Sequence, residues 1–476
     1  MKPARLVALA PCALLACAPL GLGGPRPAWE LPPPPPAREA PIVQPGSLQR
    51  VELENGLRVL VLEDRRLPRA VLGMAFRRGE SSIAPERAGL ASFTAELMER
   101  GAGDRDALAF AEYVDEIGAS FAVSAGWDSL EVGVVGLSRD LDRIFAILAD
   151  AVLVPRFERA EAERARSERL AAIERAKDDP GTLASWHASA AVYSGHRFAL
   201  PLGGTSESVE GLDAAAAREF HAQVSLPNNA ILFASGDVSA ADIQARARAA
   251  FEGWQPGPVP DIGSPPPARA PEAREIVIVN RPDLVQARIA ISHEGIARAD
   301  ADRIATSLMN SVIGGGGFSS RLMGILRSDE GLTYGVYSHY VLRRHTGPFR
   351  VSTFTRVSEV RRALDLLLAE LERGRTEPPT EDELVGARAL AIGRFSMGLE
   401  TSAAVMDGLV DLDVHDLPED SLDTYRARVR AVTAQETARA ALDHLHPERA
   451  AIVLVGPADQ LEPQVTDLGP VRVVEP

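Results

Sequence analysis

The chain has 476 residues, of which 46% are hydrophobic and 25% charged, and its net charge is −15. A single hydrophobic core rarely grows beyond about 250–300 residues, so this length predicts two or three domains. The composition excludes a disordered or coiled-coil chain, and the acidic charge without a basic stripe argues against nucleic-acid binding.

Residues 1–17 have the pattern of a lipoprotein signal peptide. Two basic residues are followed by the apolar run Leu6–Ala16, which is too short to span a bilayer. The run ends in Leu-Leu-Ala-Cys, which resembles a bacterial lipobox, so we expect Cys17 to be acylated. A plain secretory signal with a chance cysteine is the alternative. The expected location is the cell envelope, facing the periplasm, and Ala18 favours an anchor in the outer membrane.

Residues 18–48 are predicted to form a tether. The consecutive prolines Pro32–Pro36 favour the extended polyproline II conformation, and a disordered linker is the alternative. No cysteine follows Cys17, so the globular part is predicted to have neither a disulfide nor thiol chemistry.

Residues 49–255 are predicted to form the first domain. Asn55-Gly56, between two alternating apolar runs in Val51–Glu63, indicates a β-hairpin. Apolar patterns of period two predict further strands at Ala70–Arg77, Ser120–Val135 and Asn229–Gly236. Helices are predicted at 87–100, 105–117, Asp140–Leu153, Glu158–Lys177 and Ser239–Gly253.

A Pro-rich linker at 256–272 separates the first domain from a second one, at 273–465, in which the plan repeats. Strands are predicted at Glu275–Asn280, Gln286–His293, Thr333–Val341 and Ala450–Gly456, and helices at Asp302–Ile313, Glu359–Arg373 and Glu381–Leu399. Since the last of these strands repeats the pattern of Asn229–Gly236, we expect two homologous domains. The predicted fold class is α+β, each domain a mostly antiparallel sheet with helices packed on one face.

The segment at residues 89–101 reads GLASFTAELMERG. Together with the two-domain plan it resembles the pitrilysin/insulinase-type metallopeptidases, which have G-L-A-H-F-L-E-H there, an inverted zinc motif. Ser92 and Glu96 stand at the two His positions, and Ala95 stands at the Glu position. Zinc needs neutral imidazole ligands, and its bound water needs a carboxylate to take the proton. The resemblance therefore implies the scaffold of a peptidase without its chemistry.

The third zinc ligand of that family is missing as well. It is a Glu on a helix ahead of a D-D-P turn; the turn is present as Asp178-Asp179-Pro180, and the ligand position is Ala172. None of the nine His residues pairs at i, i+4, and His444 and His446 lack a third ligand. We therefore expect no metal in this chain.

A second constellation, in the second domain, is intact. Residues 314–334 read GGGGFSSRLMGILRSDEGLTY, similar to a family segment whose Arg/Tyr pair reaches the substrate carbonyl held at a partner's zinc. The matching residues are Arg327 and Tyr334. Arg supplies fixed donors with a permanent charge and Tyr supplies an O–H donor, as a developing oxyanion requires. The alternative is a surface Arg beside a half-buried strand Tyr.

The four glycines of this segment allow backbone shapes that other residues disfavour. We expect Gly314, Gly315, Gly316 and Gly317 to form a mobile loop that lines a peptide chamber. A plain connection between two helices is the alternative.

The resemblance is greatest to bacterial heterodimeric members and mitochondrial processing peptidase subunits, in which two such domains form half of a clamshell. It implies a non-catalytic subunit, inactive alone and without a cofactor of its own, in an envelope heterodimer that cleaves peptides. A homologous partner would carry the intact motif and the zinc. The alternative is a catalytically dead scaffold or interaction protein, in which Arg327 and Tyr334 are leftovers.

Overall fold

The computed structural model describes residues 41–44, 46–266 and 273–476. The predicted signal peptide, Cys17 and most of the predicted tether lie outside these residues. Within them, no helix is both long enough and apolar enough to cross a membrane.

Twelve strands are present in the described residues. They are β1 (Leu48–Glu52), β2 (Arg58–Glu63), β3 (Arg69–Phe76), β4 (Ser120–Ala125), β5 (Leu130–Leu137), β6 (Ala230–Gly236), β7 (Glu275–Asn280), β8 (Gln286–Glu294), β9 (Val336–Tyr340), β10 (Pro348–Arg356), β11 (Ala451–Gly456) and β12 (Val471–Val474).

The helices of the first half are α1 (Leu90–Met98), α2 (Ala107–Asp115), α3 (Leu141–Leu153), α4 (Arg159–Ala176), α5 (Pro180–Val192), α6 (Ser206–Glu210), α7 (Ala214–Val224) and α8 (Ala240–Phe251). Those of the second half are α9 (Arg303–Asn310), α10 (Arg321–Met323), α11 (Val360–Thr376), α12 (Glu381–Met397), α13 (Ser402–Val414), α14 (Ser421–Ala431), α15 (Ala434–His444) and α16 (Ala458–Leu461). Two π-helical segments, Ser311–Gly315 and Gly324–Asp329, flank α10.

The strands form two six-stranded sheets with one plan. Their orders are β1-β2-β6-β3-β5-β4 and β12-β7-β11-β8-β10-β9. In each, the second pair along the sheet is parallel, β2 with β6 and β7 with β11, and the three pairs that follow it are antiparallel. The edge pairs differ, since β1 is antiparallel to β2 and β12 is parallel to β7. The two-domain α+β prediction is thereby confirmed.

Several details differ from the sequence-based expectation, which also lacks β10, α7, α14 and α15. The single strand predicted at Ser120–Val135 is wrong, because a turn closed by the Gly126 N–H donating to the Ser129 carbonyl (2.8 Å) divides it into β4 and β5. Strand β12 extends the second sheet past the expected end at residue 465. The sequence pattern predicts neither α5 nor α13.

Local sequence explains where the long helices begin. The Asp179 side chain accepts a hydrogen bond from the Thr182 N–H (2.6 Å), and Pro180 occupies the first position of α5. The D-D-P turn is thus an N-cap followed by a proline with a preset φ. Thr380 and Glu383 form a capping box at the start of α12.

Each sheet has two apolar faces, and its own half covers only one of them. Alternate residues of the first sheet pack on α1, α3 and α8. The other alternation presents Leu60 and Phe233 to Met406 and Leu409 of α13, a helix of the second half.

The second sheet shows the same arrangement in reverse. Val277 and Val453 on its outer face pack on Leu183 and Ala188 of α5, a helix of the first half. Arg350 of β10 also donates a hydrogen bond to α5, from its Nη2 to Ser189 Oγ (3.0 Å). Each half therefore completes the core of the other.

We predict that Met406→Ala destabilises both halves together. Met406 is fully buried between α13 and the first sheet, and truncating a buried Met costs about 2–5 kcal/mol. Urea unfolding should show one transition at a lower midpoint, because the lost contact joins the halves.

Met397→Ala is the matched control. Met397 is 78% exposed at the end of α12, so its truncation should change stability by less than about 0.5 kcal/mol. Two separated transitions in the Met406 variant, with the second unchanged, would contradict the exchange of helices as the coupling element.

A charged cluster closes the junction between the halves. His415, just after α13, contacts Asp128 of the β4–β5 turn (Nε2 to Oδ2, 3.3 Å) and Asp411 (Nδ1 to Oδ1, 3.0 Å). The Arg344 N–H also donates to Asp128 (2.9 Å), and Arg298 pairs with Asp411. Burial alone would lower the pKa of His415, but the two carboxylates outweigh it and raise the pKa to about 9.

This raised pKa predicts a pH-dependent stability. An unfolded His releases its proton near pH 6.5, whereas folded His415 holds it to about pH 9. The stabilisation is complete below pH 6.5 and is lost as the pH rises to 9, by up to about 3 kcal/mol. Chemical unfolding at pH 7, 8 and 9 measures the slope.

His415→Gln should be less stable at pH 7 and should lose most of this slope. His187→Gln is the control, because burial lowers the pKa of His187, and it should keep the slope. An identical slope in the His415 variant would show that another group titrates.

Candidate functional site

The positions of the lost zinc motif lie on two packed helices, α1 and α4. Ser92 is partly buried and Ala95 is buried, both on α1, while Ala172 is exposed on α4. Gly89, which precedes α1, has a φ of +92°, and a Cβ there would approach the Gly203 carbonyl oxygen to 2.4 Å. The glycine of the motif is therefore retained for the backbone and not for metal binding.

Glu96, at the second His position, is neutralised by two guanidinium groups. Its Oε1 accepts from Arg100 (2.7 Å) and its Oε2 accepts from Arg169 of α4 (2.9 Å). Arg100 continues the network to Glu161 (3.3 Å) and Glu168 (2.6 Å). Glu96 therefore ties α1 to α4.

Ser92, at the first His position, belongs to a second network around a buried ion pair. Glu80 and Arg197 lie 2.9 Å apart with side chains 0% and 2% exposed. Glu80 also accepts from the Gly89 N–H (3.3 Å), the Ser92 N–H (3.0 Å) and the Ser92 hydroxyl (3.2 Å). A carboxylate thus satisfies the open N–H groups at the start of α1.

The donor set does not fit zinc. Ala95 and Ala172 have no ligand atom, the Ser92 hydroxyl donates to Glu80, and both oxygens of Glu96 are paired with arginine. The positive charge that a metal would bring is supplied by guanidinium groups.

A different group, formed by Asp300, Asp302 and His444, has oxygen and nitrogen atoms close enough for a metal ion among the described residues. Asp302 is already paired with Arg439 and contacts His444 Nε2 (3.3 Å). His446 points elsewhere, toward Glu448 (3.4 Å). Because Arg439 already neutralises the Asp302 carboxylate, this group is a poor site for a metal ion.

We predict that Arg197→Met costs about 3–5 kcal/mol, because it leaves the Glu80 carboxylate buried without a counter-charge. Thermal or urea unfolding measures this loss. Adding Glu80→Gln should recover part of the stability, since the uncompensated charge is removed.

Arg87→Met provides the matched control, because Arg87 and Glu219 form an ion pair (3.1 Å) with side chains 41% and 56% exposed. Its loss should cost less than about 1 kcal/mol. Equal effects of the two arginine substitutions would refute a special role of the buried pair.

Arg327 and Tyr334 lie together on the surface of the second half. Arg327 is in the second π-helical segment, Gly331 makes the following turn with a φ of +61°, and Tyr334 precedes β9. The Arg327 guanidinium donates to the Tyr334 carbonyl (2.8 Å) and lies over its ring at 4.3 Å. Tyr334 is 75% exposed.

Phe318 completes this arrangement and is not identified by the sequence analysis. It is 73% exposed, and the Arg327 guanidinium lies 4.6 Å from its ring centre. Two exposed aromatic rings thus hold one guanidinium between them. Arg327 has no carboxylate partner within the described residues, so its charge remains available.

At three of the four glycine positions, a side chain would collide with neighbouring atoms. A Cβ on Gly314 would approach Ser338 Oγ to 2.5 Å, one on Gly315 would approach Asn310 Nδ2 to 2.5 Å, and one on Gly316 would approach a helix carbonyl to 2.4 Å. Gly317 differs, with a φ of +67° and open space around it. Gly314 and Gly315 let the helical segment after α9 pass close to Ser338 of β9, as in a tightly packed connection.

No sequence pattern indicates the contacts of Arg169, Glu80 or Arg197. A charged helix surface such as α4 carries many arginines, and only tertiary contact distinguishes the one that meets Glu96. The only available signal for Phe318 is an aromatic residue that directly follows the glycines.

The sequence of this chain is similar to those of known proteins. Residues 58–206 match the family described as insulinase (peptidase family M16), and residues 211–390 match the peptidase M16 inactive domain. An uncharacterized zinc protease of Streptomyces coelicolor is 26% identical over 87% of this chain and 90% of its own length. A Bacillus subtilis protein with the same description is 22% identical over 75% of this chain and 86% of its own.

Solved structures show the same fold. The crystal structure of a peptidase M16 inactive domain from Pseudomonas fluorescens aligns with a TM-score of 0.79 and 28% identity, over 86% of this chain and 98% of that one. A protease from Helicobacter pylori aligns with a TM-score of 0.77 and 18% identity, over 86% and 99% of the two chains. The chain belongs to the insulinase family of M16 peptidases.

Proposed function

We propose that this chain is the non-catalytic subunit of a heterodimeric zinc peptidase, in which a homologous partner carries the intact motif. The observation that carries the proposal is the exposed Arg327 guanidinium, fixed between Phe318 and Tyr334 and without a carboxylate partner in the described part of the chain.

The geometry of Arg327 suits contact with a substrate carbonyl. One N–H is used to fix the side chain to the Tyr334 carbonyl, and the remaining donors of the fork stay free. Donors that are oriented before the reaction stabilise negative charge as it develops on an oxygen. The Tyr334 hydroxyl, which makes no hydrogen bond within the described residues, is a second donor.

The loss of the zinc positions supports a division of labour. Arginine contacts fill the place of the metal's positive charge at Glu96, so the proposed cleavage takes place at the partner's zinc. Peptides are the proposed substrates. The proposed location, the cell envelope with a lipid on Cys17, rests on the pattern of residues 1–17.

The test mixes the purified chain with a homologous chain that carries H-x-x-E-H. We expect no stoichiometric zinc and no peptidase activity in this chain alone, and activity in the mixture. Arg327→Ala should lower kcat by about 10²–10³, the typical effect of removing one transition-state donor. Tyr334→Phe keeps the ring over Arg327 and removes only the O–H.

Arg356→Ala is the matched control, because Arg356 is an exposed arginine of the same half, 3.9 Å from Glu359. It should leave kcat unchanged. A loss of less than about threefold in the Arg327 variant, with the complex still formed, would instead favour the catalytically dead scaffold.

A further inference from the structure

A cavity of about 370 Å³ lies in the second half, between α9, α12, α13 and α14. Three arginines line it, Arg298, Arg303 and Arg394, and no Asp or Glu is among the described residues that do so. The chain as a whole is negative, with a net charge of −15, whereas the charged side chains that line this cavity are positive. Its size is within the range of small-molecule sites, about 300–1,000 Å³.

The three arginines differ in how far their donors and charge are already used. Arg298 is paired with Asp411, and Arg394 donates to the Gly315 carbonyl (3.2 Å). The Arg303 guanidinium makes no hydrogen bond or ion pair with any residue that the structure describes. Arg303 is also the first residue of α9, where the helix dipole adds positive potential.

The surroundings of Arg303 disfavour its positive charge. Burial, and then the nearby Arg298, lower its pKa to about 10, so it stays a cation at neutral pH in surroundings that disfavour a cation. An anion in the cavity would reverse this effect.

Much of the remaining lining is apolar, beside the hydroxyl groups of Ser307, Ser311 and Ser421. Leu390, Phe395, Leu412, Leu422 and Tyr425 line it. The rings of Phe395 and Tyr425 lie 4.3 Å apart between centres. An anion without an apolar body would leave this surface wet, so the cavity favours a ligand with both parts.

The first half has a corresponding cavity with different chemistry. It measures about 660 Å³, lies beside α4 and α5, and its charged lining residues are Glu86, Glu207 and Lys177. Since α4 and α5 correspond to α12 and α13 in the repeated plan, the scaffold provides the cavity in both halves. Of these two cavities, only the one in the second half is lined by arginine.

We propose that the cavity around Arg303 binds a monocarboxylate with an apolar body. The Arg303 fork, which has no partner among the described residues, matches one carboxylate through two parallel hydrogen bonds. The proposal goes beyond the peptidase role and does not depend on a partner chain, so either can fail without the other.

Isothermal titration of the full chain tests it with N-acetyl-L-phenylalanine as the carboxylate and N-acetyl-L-phenylalaninamide as its neutral match. We expect saturable millimolar binding of the acid and at least about tenfold weaker binding of the amide, since a hydrogen bond to a charged group contributes about 1.5–3 kcal/mol. Phenyl phosphate should bind no more tightly than the acid.

Arg303→Met should weaken binding of the acid by about tenfold or more, and Arg303→Lys, which keeps the charge but not the fork, should have a smaller effect. Arg164→Met, on a side chain of α4 that is 64% exposed, should have none. Equal binding of acid and amide, tighter binding of phenyl phosphate, or the absence of binding would each overturn the proposal. The comparison of acid with amide needs no variant and stands even if the substitutions impair folding.

Discussion

The structure depends on one constraint: each six-stranded sheet has two apolar faces, and the helices of its own half cover only one. Helix α13 covers the second face of the first sheet, and α5 covers that of the second. Leaving either face in water would forgo about 25 cal/mol for each Å² of apolar surface. The halves are therefore coupled by their cores, and the charged junction around His415 lies where α13 ends.

This coupling explains how a peptidase scaffold survives the loss of its metal. Zinc ligands hold two helices together, and here arginine and glutamate side chains do so instead, with Glu96 bound by Arg100 and Arg169. The buried Glu80–Arg197 pair fixes the start of α1 independently. Charges that are paired and hydrogen-bonded can remain buried. These ion pairs stabilise the packing of α1 against α4 and the start of α1 in the first half.

The two halves share one architecture but present different chemical groups. The first half encloses its old metal positions in ion pairs, and the second presents a guanidinium between two exposed rings. The two cavities also differ, because arginines line the one beside α12 and α13 but not the one beside α4 and α5. A fold does not dictate function, and the chemistry of each surface follows from the few residues placed on it.

The sequence by itself determined the repeated α+β plan, the loss of the zinc ligands and the position of Arg327 near Tyr334. Periodicity, turn residues and residue identity are local properties that need no partner. Helices α5 and α13 could not be predicted, because almost all of their residues are at least partly buried and they lack the polar stripe of a surface helix. Only the tertiary structure decided that Arg169 meets Glu96, that Arg197 meets Glu80 and that Phe318 covers Arg327. Each of the two ion pairs joins residues distant in sequence, and a charge in a sequence does not reveal its partner.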